Sequence, residues 1–141
     1  MLKRLTLGCF ILILTACAGQ APVKPGQSAS TQGISNNPRI ALRQLQSRLE
    51  KANAVETAQI QLRLADLQLQ QGDINAAGQS LAAVDRKLLS THDRVLLMCV
   101  KADYLTANNK AREAVKFLAK NQPSFPADLQ LRVLNTQVSV L

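Results

Sequence analysis

Cys17 is the residue in this chain best placed to do chemistry. It follows Leu14, Thr15 and Ala16, and a thiolate is a strong nucleophile. Two other cysteines exist, Cys9 and Cys99. Cys99 has no basic residue directly beside it to lower its pKa, so a packing role on a core face is expected. His92 is the one histidine. It has no evident nucleophile or orienting partner in sequence, and reads as a residue of a helix start. No second soft ligand suggests a metal site, and no glycine-rich phosphate loop or dinucleotide fingerprint occurs. Asp66 and Asp103 stand 37 positions apart in similar surroundings, which favours a structural or solvated role over an acid/base pair. The expectation is a chain without catalytic, cofactor-binding or metal-binding residues, and not an enzyme.

The elements around Cys17 explain its role. Lys3 and Arg4 open the chain, an apolar run from Leu5 to Leu14 follows, and small residues precede the cysteine. That order is a secretory signal. The apolar run is shorter than the ~20 residues needed to span a bilayer. Leu14-Thr15-Ala16-Cys17 resembles the bacterial lipobox, Leu-(Ala/Ser/Thr)-(Gly/Ala)-Cys. The resemblance implies a diacylglycerol thioether on Cys17, cleavage before it, and acylation of the new amino group. Leu14, Thr15 and Ala16 would be the residues the signal peptidase recognises. Several acyl chains give a stable anchor where one chain binds only marginally. Ala18 follows, without the aspartate that commonly retains such proteins in the inner membrane, so the resemblance implies the periplasmic side of a Gram-negative outer membrane. With Cys9 removed and Cys17 alkylated, no intramolecular disulfide is expected.

Residues 18–37 hold Pro22, Pro25, three glycines and several Ser, Thr and Asn. Such a stretch cannot bury enough apolar surface to order itself. A flexible tether of that length has an end-to-end distance of roughly 25 Å and a full reach of about 65 Å. Beyond it the chain is rich in Ala, Leu, Gln, Lys and Arg, all good helix formers, and strand patterns are nearly missing. The expected organisation is a signal over 1–16, a lipidated cysteine and tether over 17–37, and an all-α domain over 38–141. Formal charge is +8. Losing Lys3 and Arg4 leaves fifteen basic residues against nine acidic. The excess suits anionic lipid or an anionic cell-wall polymer. Nucleic acid is disfavoured by export and by 3% aromatic content. Lys110, Arg112, Lys116 and Lys120 should line the outer side of one helix, either as a solvated face or in contact with an anionic polymer or acidic surface.

Six helices are expected. Asn37-Pro38 caps the first, whose stripe is Leu42, Leu45, Leu49 and Ala52. The second runs from about Val55 to Gln71 and ends at Gly72. The third carries Ile74, Ala77, Leu81, Val84 and Leu88. Ser90 to Asp93 fits a capping box before the fourth, about 92 to 107. Asn108-Asn109 breaks the chain before a fifth helix with Ala111, Ala114, Val115 and Leu118. Pro123 and Pro126 bracket a turn before a sixth, from about Ala127. The second and fourth helices each carry two apolar stripes: Ala58, Leu62, Ala65 and Leu69 against Ile60, Leu64 and Leu67, then Val95, Met98, Cys99, Ala102 and Leu105 against Leu97, Val100 and Tyr104. Such helices touch neighbours on two sides.

The chain repeats itself at an offset of 37: Ala65-Asp66 recurs as Ala102-Asp103, Ala77 as Ala114, and Leu81 as Leu118. A small residue, Ala twelve later and a large apolar residue four after that resembles the tetratricopeptide repeat, which implies a helical solenoid of five to six helices. The usual aromatic positions instead hold Gln61, Met98, Gln68 and Leu105. An ordinary helical bundle also accommodates the pattern. The sixth helix carries Ala127, Leu131, Leu134, Val138 and Leu141 on one stripe, with Leu129, Val133 and Val140 on another. It reads as the first helix of a third unit, with an apolar face that a partner covers, that reflects a truncated longer protein, or that is tolerated after the helix folds back.

Lipobox, tether and these repeats together resemble the N-terminal part of the penicillin-binding protein activator lipoproteins (the LppC family). The segments Leu62 to Asp73 and Val95 to Tyr104, with Ala76, Ala77 and Leu81, carry the likeness. It implies an outer-membrane lipoprotein whose helical repeats support peptidoglycan synthesis, with a peptidoglycan synthase as protein partner and possible cell-wall contact. The family's activating domain, similar to periplasmic binding proteins, has no counterpart in the likeness. The alternative is a general tetratricopeptide lipoprotein that helps assemble another envelope machine, such as a pilus or an outer-membrane insertion complex.

Overall fold

The computed structural model describes residues 33–121 and 127–138. Leu14 to Cys17, most of the tether, Pro123, Pro126 and Leu141 lie outside the described residues. Among those described, every regular element is helical. They are α1 (Pro38–Leu49), α2 (Ala54–Gln70), α3 (Ile74–Ala82), a 3-10 turn (Arg86–Leu88), α4 (Thr91–Ala107), α5 (Ala111–Lys120) and α6 (Ala127–Val138).

Short polar side chains start these helices. Asn37 accepts from the amide of Arg39 at 3.1 Å, with Pro38 in the first turn. Asn53 and Glu56 form a reciprocal capping box. Asp73 accepts from Ala76 and Ser90 from Asp93, each at 3.1 Å. Each cap answers amides that have no partner within the helix.

Two of the helix ends are alike in detail. Gly72 has φ +78° and Asn109 has φ +61°. After the first, Asp73 donates to the Gln68 carbonyl at 2.9 Å; after the second, Lys110 donates to Leu105 at 2.9 Å. Both are Schellman ends, where one left-handed residue turns the chain back and satisfies orphan carbonyls. Glycine adopts that φ without a steric penalty, and asparagine is the side chain that tolerates it best. The starts of α2 and α3 recur in α4 and α5, each 37 positions on. The repeat legible in the residues is therefore a repeat of backbone geometry.

Packing follows the two-stripe pattern. Ile60 and Leu64 of α2 meet Leu45 of α1, with Leu42, Leu49 and Ala52 alongside. Ala58, Leu62 and Ala65 face the other way, into a cluster with Leu81, Leu89, Val95, Leu96, Leu97 and Val100. Ala102, Ala114 and Leu118 make a third cluster between α4 and α5. Leu96 joins the core although it belongs to neither expected stripe of α4. Ala65, Ala77, Ala102 and Ala114 are all fully buried, so paired helices approach where a larger side chain would hold them apart. At Gly78 of α3 an added Cβ would sit 2.8 Å from the Tyr104 hydroxyl, which marks the same close approach between α3 and α4.

The third helix is shorter than its apolar pattern suggests. It ends at Ala82, and Val84 and Leu88 reach the core from the following turn. Asp85 starts that turn: its carboxylate accepts the amide of Lys87 at 2.9 Å. That local bond offers the backbone an alternative to another helical turn.

Ala77→Glu or Ala114→Glu places a carboxylate where two helices touch, and each should lower stability by about 3–5 kcal/mol. Ala83→Glu, at an exposed position, should change it by less than about 0.5 kcal/mol. Urea denaturation followed by circular dichroism reads both; equal effects at the three positions would refute this packing.

Candidate interaction surface

α6 is held by an arginine. Arg132 donates to Asp66 of α2 through both terminal nitrogens, at 3.0 and 2.6 Å. It also donates to Asp103 of α4 at 3.0 Å. Thr136, one turn on, donates to the other Asp103 oxygen at 2.8 Å. Leu129 completes the docked face and is buried among Ala58, Leu62 and Val95. Leu129, Arg132 and Thr136 fall on one side of the helix by their three- and four-residue spacing.

Electrostatics favours the charged form of this clamp. Burial works against the Arg132 charge, but the hydrogen bonds and charge of Asp66, then of Asp103, outweigh it and hold its pKa above the ordinary arginine value. Bidentate arginine–carboxylate pairs are the stronger kind of ion pair, and their fork fixes orientation. The recurring aspartates are thus structural, and α6 supplies what they answer to. A lone arginine between Leu129 and Val133, in a helix with no other cation, was the sequence signal for it.

A second polar cluster joins α2 to the start of α4. Asp93 is 1% exposed. Its carboxylate accepts from Ser90 at 2.9 Å and from Gln59 at 3.2 Å, and lies 3.9 Å from Arg63. The capping residue is drawn into a tertiary bond, because a buried carboxylate must be satisfied from every side. Burial lowers the Arg63 pKa, against the pull of Asp93 and Asp66. His92 sits beside Asp93, with Nδ1 3.9 Å away, in the first turn of α4. Cys99 is fully buried, and burial pushes its thiol pKa up, as a packing role requires.

The docked face of α6 is polar at its centre, so the apolar stripe points away. Leu131, Leu134 and Val138 are 69%, 56% and 69% exposed. α6 therefore packs on α4, much as α4 packs on α2, and reaches across to α2 through Arg132, with that stripe outward. Lys110, Arg112, Lys116 and Lys120 are all exposed on the outer side of α5. Among the described residues no helix is long and apolar enough to cross a membrane. No family model, curated protein or solved structure matches the chain.

Arg132→Met should cost roughly 2–4 kcal/mol, since it leaves two carboxylates facing each other with Asp66 nearly buried. Amide exchange in α6 should rise much more than in α2. Exchange that rises equally everywhere, or not at all, would mean that the clamp does not hold α6.

Proposed function

We propose that this chain is a lipid-anchored adaptor of the outer membrane, which presents a tetratricopeptide-like helical domain to a protein partner. The observation that carries the reading is the stripe of Leu131, Leu134 and Val138, held outward by the Arg132 clamp. Apolar residues at this spacing on an exposed helix are what a partner helix or groove covers. The matching helix ends, the 37-residue register and the buried alanines support the repeat assignment. Leu14 to Cys17 supports a cleaved signal and a lipid on Cys17. The likeness to penicillin-binding protein activators makes a peptidoglycan synthase the first partner to seek, and support of peptidoglycan synthesis the role.

The stripe limits what kind of contact is expected. Burying a Leu or Val side chain contributes about 1.5–3 kcal/mol, and these three are already partly covered. A micromolar complex needs about 8 kcal/mol. A partner must therefore also engage the polar surface beside the stripe.

Two experiments test the reading. Cys17→Ser should abolish palmitate incorporation in cells; labelling that persists would remove the anchor. Crosslinking of the lipidated protein in its native envelope, followed by mass spectrometry, should recover a peptidoglycan synthase. The recovery should be lost in Leu131→Lys/Leu134→Lys with thermal stability unchanged. Recovery of a pilus or outer-membrane assembly complex would favour the general adaptor reading, and recovery unaffected by the substitutions would move the contact off α6.

A further inference from the structure

The two helix pairs share a backbone register but not a charge. Residues 53–83 hold one cation, Arg63, with Glu56, Asp66 and Asp73. Residues 90–120 hold six, Arg94, Lys101, Lys110, Arg112, Lys116 and Lys120, with Asp93, Asp103 and Glu113. The contrast is sharpest between α3 and α5. Arg112, Lys116 and Lys120 follow one another at four-residue steps along α5, about 6 Å apart on its axis. The equivalent positions 37 residues earlier, on α3 and at its C-cap, are Asn75, Gln79 and Ala83, also exposed. The same backbone forms without cations there, so packing does not require them. Nor do they serve ion pairs: among the described residues none of the three pairs with a carboxylate. Val115, 39% exposed, and Ala119, also exposed, lie beside them.

We infer that the outer face of α5 is a docking surface for an anionic lipid membrane, with Arg112, Lys116 and Lys120 on the headgroups and Val115 and Ala119 against the interface. The apolar neighbours favour a lipid surface over a hydrated polymer, because an interface accepts both cations and small apolar side chains. Each cation near an anionic leaflet strengthens binding about fivefold, so three supply about a hundredfold. A lipid on Cys17 would keep such a surface within reach of the tether, but the stripe acts without it. Contact through α5 would also orient the domain, where a tether alone leaves it free to turn.

The test uses the full chain carrying Cys17→Ser, which cannot be lipidated. Its binding is measured by sedimentation with phosphatidylcholine vesicles, with and without about a third phosphatidylglycerol, at low salt. Arg112→Gln/Lys116→Gln/Lys120→Gln should weaken binding to the anionic vesicles by about a hundredfold and leave binding to the neutral ones unchanged. Arg39→Gln/Arg43→Gln/Lys51→Gln removes the same charge from exposed positions on and just after α1, and should weaken binding to anionic vesicles far less. Equal losses in the two variants would reduce the effect to net charge and overturn the inference. So would anionic vesicles that bind no better than neutral ones, or a stripe that binds soluble anionic glycan while ignoring vesicles. None of these outcomes depends on whether Cys17 carries lipid in cells.

Discussion

One guanidinium answers two carboxylates from equivalent places in successive helix pairs, and the placement of α6 depends on it. Asp66 and Asp103 project to the same side of α2 and α4. Without a cation between them they would repel in a partly dry environment. Arg132 satisfies both, and its planar fork allows few angles of approach. A buried ion pair adds little net stability compared with apolar side chains of similar volume, because desolvation consumes most of the attraction. Its contribution here is direction: it selects which face of α6 turns inward.

That selection determines what the molecule shows to its surroundings. Turning Arg132 and Thr136 inward turns Leu131, Leu134 and Val138 outward, since the two sets sit on opposite sides of one helix. The apolar surface is thus a consequence of an internal electrostatic need. A helix docked by its leucines would have hidden them and left two aspartates unanswered.

The paired helices below α6 rest on a different balance. Their ends are set by local chemistry, with Asn53, Asp73 and Ser90 as caps and Gly72 and Asn109 as left-handed turns. Their stability comes from packing, because helices of nine to seventeen residues are marginal alone in water. Buried alanines let the helices approach, and the larger residues around them fill the space. Since this scaffold repeats, differences between its copies fall on the surface. The neutral outer side of α3 and the cationic outer side of α5 are the clearest of these.

Residue types and spacing alone determined the all-α class, the five breaks between helices, the double stripes of α2 and α4, the buried place of Cys99 and the exposed cations of α5. Each follows from local periodicity or capping chemistry, which acts over a few residues and is written directly in the sequence. The end of α3 at Ala82 was less legible, because the apolar pattern continues to Leu88 across a separate turn capped by Asp85. The joining of Asp66 to Arg132, 66 positions away, and of Gln59 to Asp93 was decided only by the tertiary structure. Contacts between distant segments depend on how helices cross, and spacing along one helix carries no record of that. The facing of α6 belongs to the same class: both its stripes are apolar by pattern, and the deciding carboxylates lie on two other helices.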